Sequence, residues 1–326
     1  MFKPTNKRFI YHRLNIVAAQ VVMLGLLCAL LLNSKPAQAQ TGYEFHESER
    51  SDKLTGGRVE TAEFEPGQPD IRITLNIPSF RLTLWQNGKE VKSYYVGIGL
   101  KEFPLYIGER EASEVIWNPD WIPPDSDWVK EKKGITPLEV IKASDPRNPL
   151  GKLKIPLGNH YLIHQAGSTA DVGSLVSHGC VRMLRSELYD LAEKIIAARN
   201  ANVSPKRIAA AKRSKRKLTV PLEEPIPVDI NYDTLVVEGG VLHIYPDVYS
   251  RGMNRPARLR AELESAQVDV SNLSEATMKK MLAKVKPGMQ FVVNTSSIAQ
   301  GEALQEGKLV PVIPRRQTAG AEGMKR

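Results

Sequence analysis

The chain has very little cysteine: among its 326 residues only Cys28 and Cys180 occur. Cys28 lies in an apolar N-terminal stretch that is typical of a removable export signal, so the processed chain would retain Cys180 alone. One remaining thiol excludes an intramolecular disulfide and a C-x-x-C redox pair. An unpaired thiol outside the cytoplasm is exposed to oxidation, and its retention there indicates a chemical role for Cys180.

The first 39 residues contain no acidic side chain. They begin with a basic segment and continue with an apolar run from about residue 16 to 32, and Ala37-Gln38-Ala39 then provides the small-x-small pattern that signal peptidases cut. We therefore predict a signal peptide at residues 1–39. An uncleaved membrane anchor is the alternative, because the run is nearly long enough to span a bilayer.

The chain also lacks a strong net charge once this segment is removed. Residues 1–39 hold five of the 45 lysines and arginines and none of the 36 acidic residues, so cleavage lowers the formal net charge from +9 to +4. Such a mild charge gives no support for nucleic-acid binding, and we expect none. A basic cluster at residues 206–217 could contact an anionic membrane or wall polymer, but we favour a solvated helix end and linker.

Composition divides the N-terminal half of the chain into three parts. Residues 40–69 are polar and acidic, which predicts a flexible tether. From Ile71 onward apolar and polar residues alternate, which predicts a β meander with Asn87-Gly88 at a hairpin turn. Residues 99–151 are rich in proline and glycine, so we expect a long loop or flap, in which Trp121 is either a ligand platform or a packing staple.

The C-terminal half contains short apolar segments without an internal repeat. Residues 161–164 predict a strand, and after Cys180 an apolar stripe predicts a core-facing helix with Ser186 as its cap. The predicted domains are a folded body at 70–205, a basic linker at 206–217, a small accessory domain at 218–314 and a disordered tail at 315–326. In the accessory domain we expect strands at 225–228, 235–245 and 291–293, with a helix at 274–285.

Cys180 lies in the motif Ser177-His178-Gly179-Cys180-Val181-Arg182-Met183. A thiol attacks an acyl carbon only as a thiolate, so such a site needs a base or a lowered thiol pKa. His178 could share a face with Cys180 in an extended backbone, whereas His164 would arrive from a separate strand, the usual arrangement in thiol acyl transfer. Gly179 permits a positive φ, so that the N–H groups of Gly179 and Cys180 could converge on an oxyanion.

Two alternatives stay open from the spacing alone. A lone cysteine is often an inert core residue, and a histidine on an apolar strand is often a core residue too. The second alternative is a metal site, whose four ligands would be His160, His164, His178 and Cys180. No acidic residue lies within this cluster to act as a base beside a zinc-bound water, so we expect no metal.

Together the motifs resemble a known family. Ile163-His164, a gap of twelve residues and then the Cys180 motif resemble the active-site signature of the YkuD-type L,D-transpeptidases. The segments Trp117-Asn118-Pro119-Asp120-Trp121 and Asp145-Pro146-Arg147-Asn148-Pro149-Leu150-Gly151 resemble those of the Gram-negative periplasmic branch. The similarity covers residues 70–205.

The resemblance implies a mostly β, β-sandwich-like catalytic domain with a few helices, followed by a small C-terminal α+β segment. It implies that Cys180 is the nucleophile and His164 its general base, and that Arg182 orients the motif or binds a substrate carboxylate. It further implies site-shaping roles for Ser177, His178 and Gly179, with Tyr161 and Trp121 as further candidates for substrate binding.

The implied reaction is attack on the bond between meso-diaminopimelate and the terminal D-alanine of a peptidoglycan tetrapeptide stem. A thioester forms in the periplasm without a cofactor, and an amine of another stem peptide or of a wall-anchored lipoprotein resolves it. Water as acceptor, in an L,D-carboxypeptidase or a hydrolase that releases wall-linked protein, is one alternative, and a non-catalytic wall-binding scaffold is another. Gln165 stands where many relatives have glycine, and its side chain could narrow the mouth of the site.

Overall fold

The structure, a computed structural model, describes residues 71–314. The predicted signal peptide at 1–39, the tether at 40–69 and the tail at 315–326 lie outside the described residues. Strands predominate over helices, which confirms the mostly β fold class. The strands form an eight-stranded sheet, a four-stranded sheet and a two-stranded ribbon.

Alternation of apolar and polar residues builds the first sheet. In its first strand Ile71, Ile73 and Leu75 are buried and the residues between them are half-buried, as a period of two requires. In spatial order the sheet contains β3 (Lys89–Tyr95), β2 (Arg81–Gln86), β1 (Ile71–Asn76), β10 (Leu218–Asn231), β5 (Gly108–Trp117), β6 (Leu153–Pro156), β7 (Leu162–Gln165) and β9 (Val181–Met183). The ribbon pairs β4 (Ile98–Gly99) in parallel with β8 (Leu175–Ser177).

The hairpin between β2 and β3 turns at Asn87-Gly88, as the sequence predicted. Both residues have positive φ angles, 51° and 72°, which a two-residue type I′ turn requires. This local turn sets the antiparallel register of the two strands.

The expected loop at residues 99–151 is wrong in part, because Gly108–Trp117 forms the ten-residue strand β5. The prolines on which that expectation depended lie outside the strand, at Pro104 and from Pro119 onward. β5 is therefore able to pair with β10 on one side and with β6 on the other. Residues 118–152 do form a long connection, which contains helix α1 (Asp127–Lys130) and a bridge between Trp121 and Ile141.

Helix α2 (Arg185–Ala198) follows the Cys180 motif. Its predicted apolar stripe is confirmed, since Leu188, Leu191 and Ile195 are buried. The predicted cap is wrong: Leu184 precedes the helix, and Ser186 lies inside its first turn.

The expected basic linker at residues 206–217 is wrong in part, because most of it is a helix and only residues 214–217 connect that helix to the next strand. Pro205–Arg213 forms helix α3, which Ser204 caps by accepting a hydrogen bond from the backbone N–H of Arg207. The chain then enters β10, which pairs in parallel with β1 and antiparallel with β5. Residues 218–231 thus complete the first sheet and do not begin a separate segment. The prolines of this strand made it unrecognisable from the sequence, because proline is rare inside a sheet. Its register with β5 shifts between Pro221 and Ile226.

The second sheet follows β10 in the chain. It consists of β11 (Leu235–Glu238), β12 (Val241–Ile244), β13 (Met289–Asn294) and β14 (Lys308–Pro311), all antiparallel. Helices α4 (Pro256–Ser265), α5 (Glu275–Lys284), α6 (Thr295–Ala299) and α7 (Ala303–Glu306) belong to the same part of the chain. The predicted strands around Gly239-Gly240, the helix at 274–285 and the strand at 291–293 are confirmed. Within the described range no helix has the length and apolar character needed to cross a membrane.

Candidate active site

The Cys180 motif lies where β7 and β9 run side by side in parallel. Their register places His164 opposite Arg182. Side chains alternate between the two faces of a sheet, so His164 and Arg182 share a face, and Cys180 continues it two residues before Arg182. Cys180 directly precedes β9, so Cys180 and His164 are diagonal neighbours on two strands about 4.8 Å apart. The register therefore brings the predicted nucleophile and the predicted base onto one face of the sheet.

His164 is 3% exposed, and its Nδ1 atom has no hydrogen-bond partner among the described residues. Burial lowers the pKa of His164 to about 3, and the positive charge of Arg182 acts in the same direction, while backbone groups of Gln165 and Leu150 oppose both. The imidazole is therefore neutral at neutral pH. A neutral ring is the form that a general base requires.

Cys180 is a free and partly exposed cysteine. Burial raises the pKa of its thiol above the ordinary value, although a backbone hydrogen bond with Leu162 and the charges of Arg182 and Lys154 act in the opposite direction. The Sγ atom lies 3.9 Å from the carbonyl oxygen of His160, to which the thiol donates a weak hydrogen bond. The resting site thus pairs a neutral thiol with a neutral imidazole.

A tight turn presents that carbonyl to the thiol. Gly158, Asn159 and His160 have consecutive positive φ angles of 76°, 46° and 65°. Side chains other than glycine adopt this region rarely, and such backbone strain is often found at functional sites. The turn joins β6 to β7 and therefore ends two residues before the strand that carries His164.

Ser177 and Gly179 build the turn before Cys180. Ser177 is buried, and its hydroxyl donates a 2.5 Å hydrogen bond to the carbonyl oxygen of Cys180. Gly179 has a φ of +100°, which confirms the predicted positive φ, and a Cβ atom there would lie 2.9 Å from Cε1 of Tyr161. Both the backbone angle and the close tyrosine ring therefore require glycine at this position.

His178 lies in an aromatic stack. Its ring stacks on Trp128 with the centroids 4.0 Å and the planes 18° apart, and Phe103 packs beside it with the centroids 4.5 Å apart. Burial lowers the pKa of His178, and nearby positive charges add to this effect. The stack joins the 118–152 connection to the Cys180 motif. Sequence reasoning missed Trp128 and Phe103, although the unusual number of tryptophans in this proline-rich connection was a signal.

Arg182 forms an ion pair with Asp171, with Nη1 3.3 Å from Oδ2. The Asp171 carboxylate also accepts hydrogen bonds from the backbone N–H of Gly167, at 2.8 Å, and from the hydroxyl of Ser168, at 3.1 Å. Arg182 is thereby tied to the loop that follows β7. Of the two roles expected for Arg182, this pairing favours orientation of the motif over binding of a substrate carboxylate.

Tyr161 borders the motif, as expected of a substrate-binding candidate. Besides its contact with the position of Gly179, its ring meets Tyr106 edge-on with the centroids 6.2 Å apart. The guanidinium of Arg110 lies over the Tyr161 ring, 5.2 Å from its centroid.

Trp121 has a different environment. It is 8% exposed, pairs its backbone with Ile141 and packs in a small apolar cluster with Ile141 and Leu150. The buried indole offers little surface to a ligand. The structure favours the packing-staple alternative.

Gln165 does not use its side chain to close the site. Its Oε1 atom accepts a 3.0 Å hydrogen bond from the backbone N–H of Lys152. The side chain lies against Gly151, where a Cβ atom would be 2.6 Å from Cβ of Gln165. The glycine at position 151 thus provides the space that the Gln165 side chain occupies. The φ of +69° at Gly151 also favours glycine there.

Metal ligation was the other alternative for these side chains. Among residues 71–314 no group of three or more histidine, cysteine, aspartate or glutamate side chains could hold a metal ion. The four side chains that the alternative requires therefore do not converge.

Comparison with known proteins gives a family match for the region that contains this site. Residues 70–205 match the YkuD family model, the L,D-transpeptidase catalytic domain. In Escherichia coli K12, "Probable L,D-transpeptidase YbiS" is 27% identical over 122 residues, which cover 33% of this chain and 40% of that protein. "Probable L,D-transpeptidase YcfS" of the same strain is 26% identical over 179 residues, which cover 50% of this chain and 54% of that protein. The chain thus spans less than two thirds of the length of either relative.

Among solved structures, the catalytic domain of the E. faecium L,D-transpeptidase is similar. It is 14% identical, with a TM-score of 0.33, and the match covers 50% of this chain and 98% of that domain.

Proposed function

Since residues 70–205 match the family model of the L,D-transpeptidase catalytic domain, we propose that this protein is a periplasmic cysteine L,D-transpeptidase that acts on peptidoglycan. The observation that carries the proposal is the common sheet face of Cys180 and His164, where a buried neutral imidazole lies diagonal to a free thiol. The donor is a tetrapeptide stem in which D-alanine is attached to the L-centre of meso-diaminopimelate.

Acylation begins when Sγ of Cys180 attacks the carbonyl carbon of the scissile amide. The thiol proton passes to the neutral His164 as the carbon–sulfur bond forms, because both groups are uncharged at rest. The negative charge that develops on the carbonyl oxygen is stabilised by the backbone N–H groups of Gly179 and Cys180, and one such donor contributes about 3 kcal/mol in comparable sites. Collapse of the intermediate breaks the carbon–nitrogen bond, and the protonated His164 gives its proton to the leaving amine of D-alanine.

Deacylation repeats these steps with a new nucleophile. The amine of the acceptor attacks the thioester carbonyl, His164 accepts a proton from that amine, and the carbon–sulfur bond breaks. The departing thiolate takes the proton back, so that an amide is formed and the resting thiol is restored. Neither acylation nor deacylation, as proposed, requires an oxidant, a metal or a cofactor.

Three side chains support the geometry of the pair without reacting. Ser177 holds the carbonyl of Cys180, which fixes the turn that carries the two oxyanion donors. Arg182, tied to Asp171, lies opposite His164, and its charge adds to the burial that keeps the imidazole deprotonated. These roles explain why the motif extends beyond the nucleophile itself.

The acceptor is a second stem peptide, which yields a cross-link, or an amine of a wall-anchored lipoprotein. The signal peptide predicted at residues 1–39 supports a periplasmic location. Hydrolysis by water at the same thioester is the competing outcome.

Purified protein incubated with tetrapeptide stems tests the proposal, with products identified by mass spectrometry. Loss of D-alanine together with a cross-linked dimer, or with exchange of an added amine, is the expected result. Tripeptide alone would assign the site to hydrolysis. Cys180→Ala should abolish all conversion. Ser174→Ala should retain it, because among residues 71–314 the Ser174 hydroxyl bonds only to the carbonyl oxygen of Ala170.

A carbapenem provides a second readout that does not need the acceptor. It should acylate Cys180 and add its mass to the intact protein, and the Cys180→Ala variant should gain no mass. An unmodified wild-type protein would count against an activated thiol and would favour a non-catalytic scaffold.

A further inference from the structure

Lys154 lies in the same row of side chains as His164 and Arg182. On β6 it is registered with His164 of β7, which in turn is registered with Arg182 of β9. Registered residues of neighbouring strands point to the same face, so Lys154 shares the face that holds Cys180. With neighbouring strands about 4.8 Å apart, β6 lies about 10 Å from β9, close enough for one small ligand to contact both Lys154 and Cys180.

Lys154 is half-buried as a residue, and within residues 71–314 its ammonium group forms no ion pair. Burial lowers the pKa of Lys154 and the charge of Lys217 adds to this effect, while the carboxylates of Glu114 and Asp120 oppose it from beyond ion-pair distance. Asp120 pairs with Lys142 instead, at 3.4 Å. A partly desolvated cation that lacks a paired anion is costly, and such groups concentrate at functional sites.

The neighbouring cations are already engaged. Lys152 donates hydrogen bonds to Oδ1 of Asn118, at 3.2 Å, and to the carbonyl oxygen of Ser214, at 2.6 Å. Arg182 pairs with Asp171. Of these three cations around His164, Lys154 is the one whose charge no described residue satisfies.

We propose that Lys154 binds the terminal carboxylate of the donor stem, which belongs to the D-alanine that leaves; this inference rests on the proposed function. In the donor, only the amide nitrogen and one α-carbon separate this carboxylate from the scissile carbonyl carbon. When Sγ of Cys180 attacks that carbon, the carboxylate therefore lies beside the nucleophile on the same face of the sheet. A charge-assisted hydrogen bond from the ammonium group then satisfies both partners.

This contact selects stems that end at the residue after the scissile bond. An internal peptide bond places a neutral amide where the carboxylate belongs, and it leaves the Lys154 ammonium partly buried and unpaired. A binding site whose buried polar group is left without a partner by the wrong substrate discriminates strongly against that substrate. Lys154 is thus a specificity-determining residue, distinct from the pair that reacts.

Stems that end in D-alanine and the same stems that end in D-alaninamide test the inference with the full purified protein. In the wild type the amide should lower kcat/KM about tenfold or more, chiefly through KM. Lys154→Met should lower kcat/KM for the acid stem by a similar factor and should process both stems alike. Lys154→Arg retains the charge and should keep most of the preference for the acid.

Lys217→Met is the matched control, because it removes a nearby exposed cation and should keep the wild-type preference. Equal wild-type rates on both stems, or an acid preference that survives in Lys154→Met, would overturn the role of Lys154 and leave the proposed function intact. If Lys154→Met shifts the pH profile of Cys180 alkylation without changing the preference, Lys154 acts on the thiol and the inference is wrong. Conversion of neither stem by a protein whose Cys180 still reacts with iodoacetamide would refute the proposed function, and the inference with it.

Discussion

The phenol of Tyr249 donates a 3.0 Å hydrogen bond to the carbonyl oxygen of Gly99. The same oxygen of Tyr249 accepts a hydrogen bond of 3.1 Å from the backbone N–H of Leu105. Gly99 in turn packs closely against the Cys180 motif, since a Cβ atom on Gly99 would lie 3.0 Å from Cα of Gly179. Tyr249 lies beyond residues 70–205, so a residue outside the family match supports the turn before the candidate nucleophile.

Tyr249→Phe should therefore impair turnover more than substrate binding. The variant keeps the ring that stacks on Tyr232 but leaves a carbonyl and an N–H without their partner, which costs about 1–3 kcal/mol of unfolding free energy. We expect kcat to fall several-fold with KM nearly unchanged, measured on a tetrapeptide stem. Tyr245→Phe, in a buried tyrosine outside this network, is the control, and an equal loss of kcat in both variants would contradict the prediction.

Stability toward acid should depend on His164. Its pKa is about 3 in the folded protein and about 6.5 in the unfolded chain, so the unfolded state binds more protons between these values. The unfolding free energy should fall by about 1.4 kcal/mol for each pH unit below 6.5, or about 2 kcal/mol by pH 5, and should level off near pH 3. Urea unfolding across this range measures the slope.

His164→Gln should remove this component of the slope, because its neutral amide does not titrate. His243→Gln is the matched control, since His243 is partly exposed and bonds to Gln290. Identical slopes in the wild type and in His164→Gln would show that burial does not hold the imidazole neutral.

The charge of Arg182 should increase the reactivity of the thiol, because it opposes the effect of burial on the Cys180 pKa. It lowers the pKa of Cys180 and also that of His164, so Arg182→Gln should raise both. The rate of iodoacetamide alkylation of Cys180 as a function of pH should then rise at a higher pH than in the wild type. Arg182→Lys retains the charge and should stay near the wild-type profile; a profile of Arg182→Gln that does not move would argue against this electrostatic effect.

Gly151→Ala should destabilise the protein through two separable effects. The φ of +69° disfavours alanine, and the new Cβ would meet Gln165 at 2.6 Å, so we expect a cost of about 1–3 kcal/mol in urea unfolding. Gly158→Ala has a similar φ of +76° with no described atom within 4 Å, and it should show the backbone cost alone. Gln165→Gly combined with Gly151→Ala should recover the part of the unfolding free energy that is lost to the clash with Gln165. If the effects of the two substitutions are simply additive, the clash does not exist.

The sequence predicted well those features that depend on neighbours in the chain. Alternation and the Asn87-Gly88 turn determine the β2–β3 hairpin locally, and the structure has it as expected. The seven-residue Cys180 motif and its spacing from His164 indicated a site because the residue types alone narrow the chemistry. Gly179 could be assigned a positive φ for the same reason, since only glycine tolerates it easily.

Features that depend on register between distant segments could not be predicted. β10 pairs Val228 with Ile73, and its prolines resembled those of a linker. Lys154 reaches the face of Cys180 only because β6 lies beside β7, and no motif marks it. Trp121 was ambiguous for a related reason: a tryptophan in an irregular segment packs or binds according to burial, which depends on Ile141 and Leu150 from elsewhere in the connection.

The position of β10 makes the first sheet depend on its last strand in the chain. A chain is synthesised from its N-terminus, so β1 to β9, with both Cys180 and His164, exist before the strand that joins β1 to β5. Without residues 218–231 the sheet would consist of two parts, β3-β2-β1 and β5-β6-β7-β9, whose open edges are sites for mispairing. A chain that ends at residue 205 would contain every residue of the family match and still lack the strand that unites them. The strand that joins the β1 part of the sheet to the part that carries Cys180 therefore lies outside the family match.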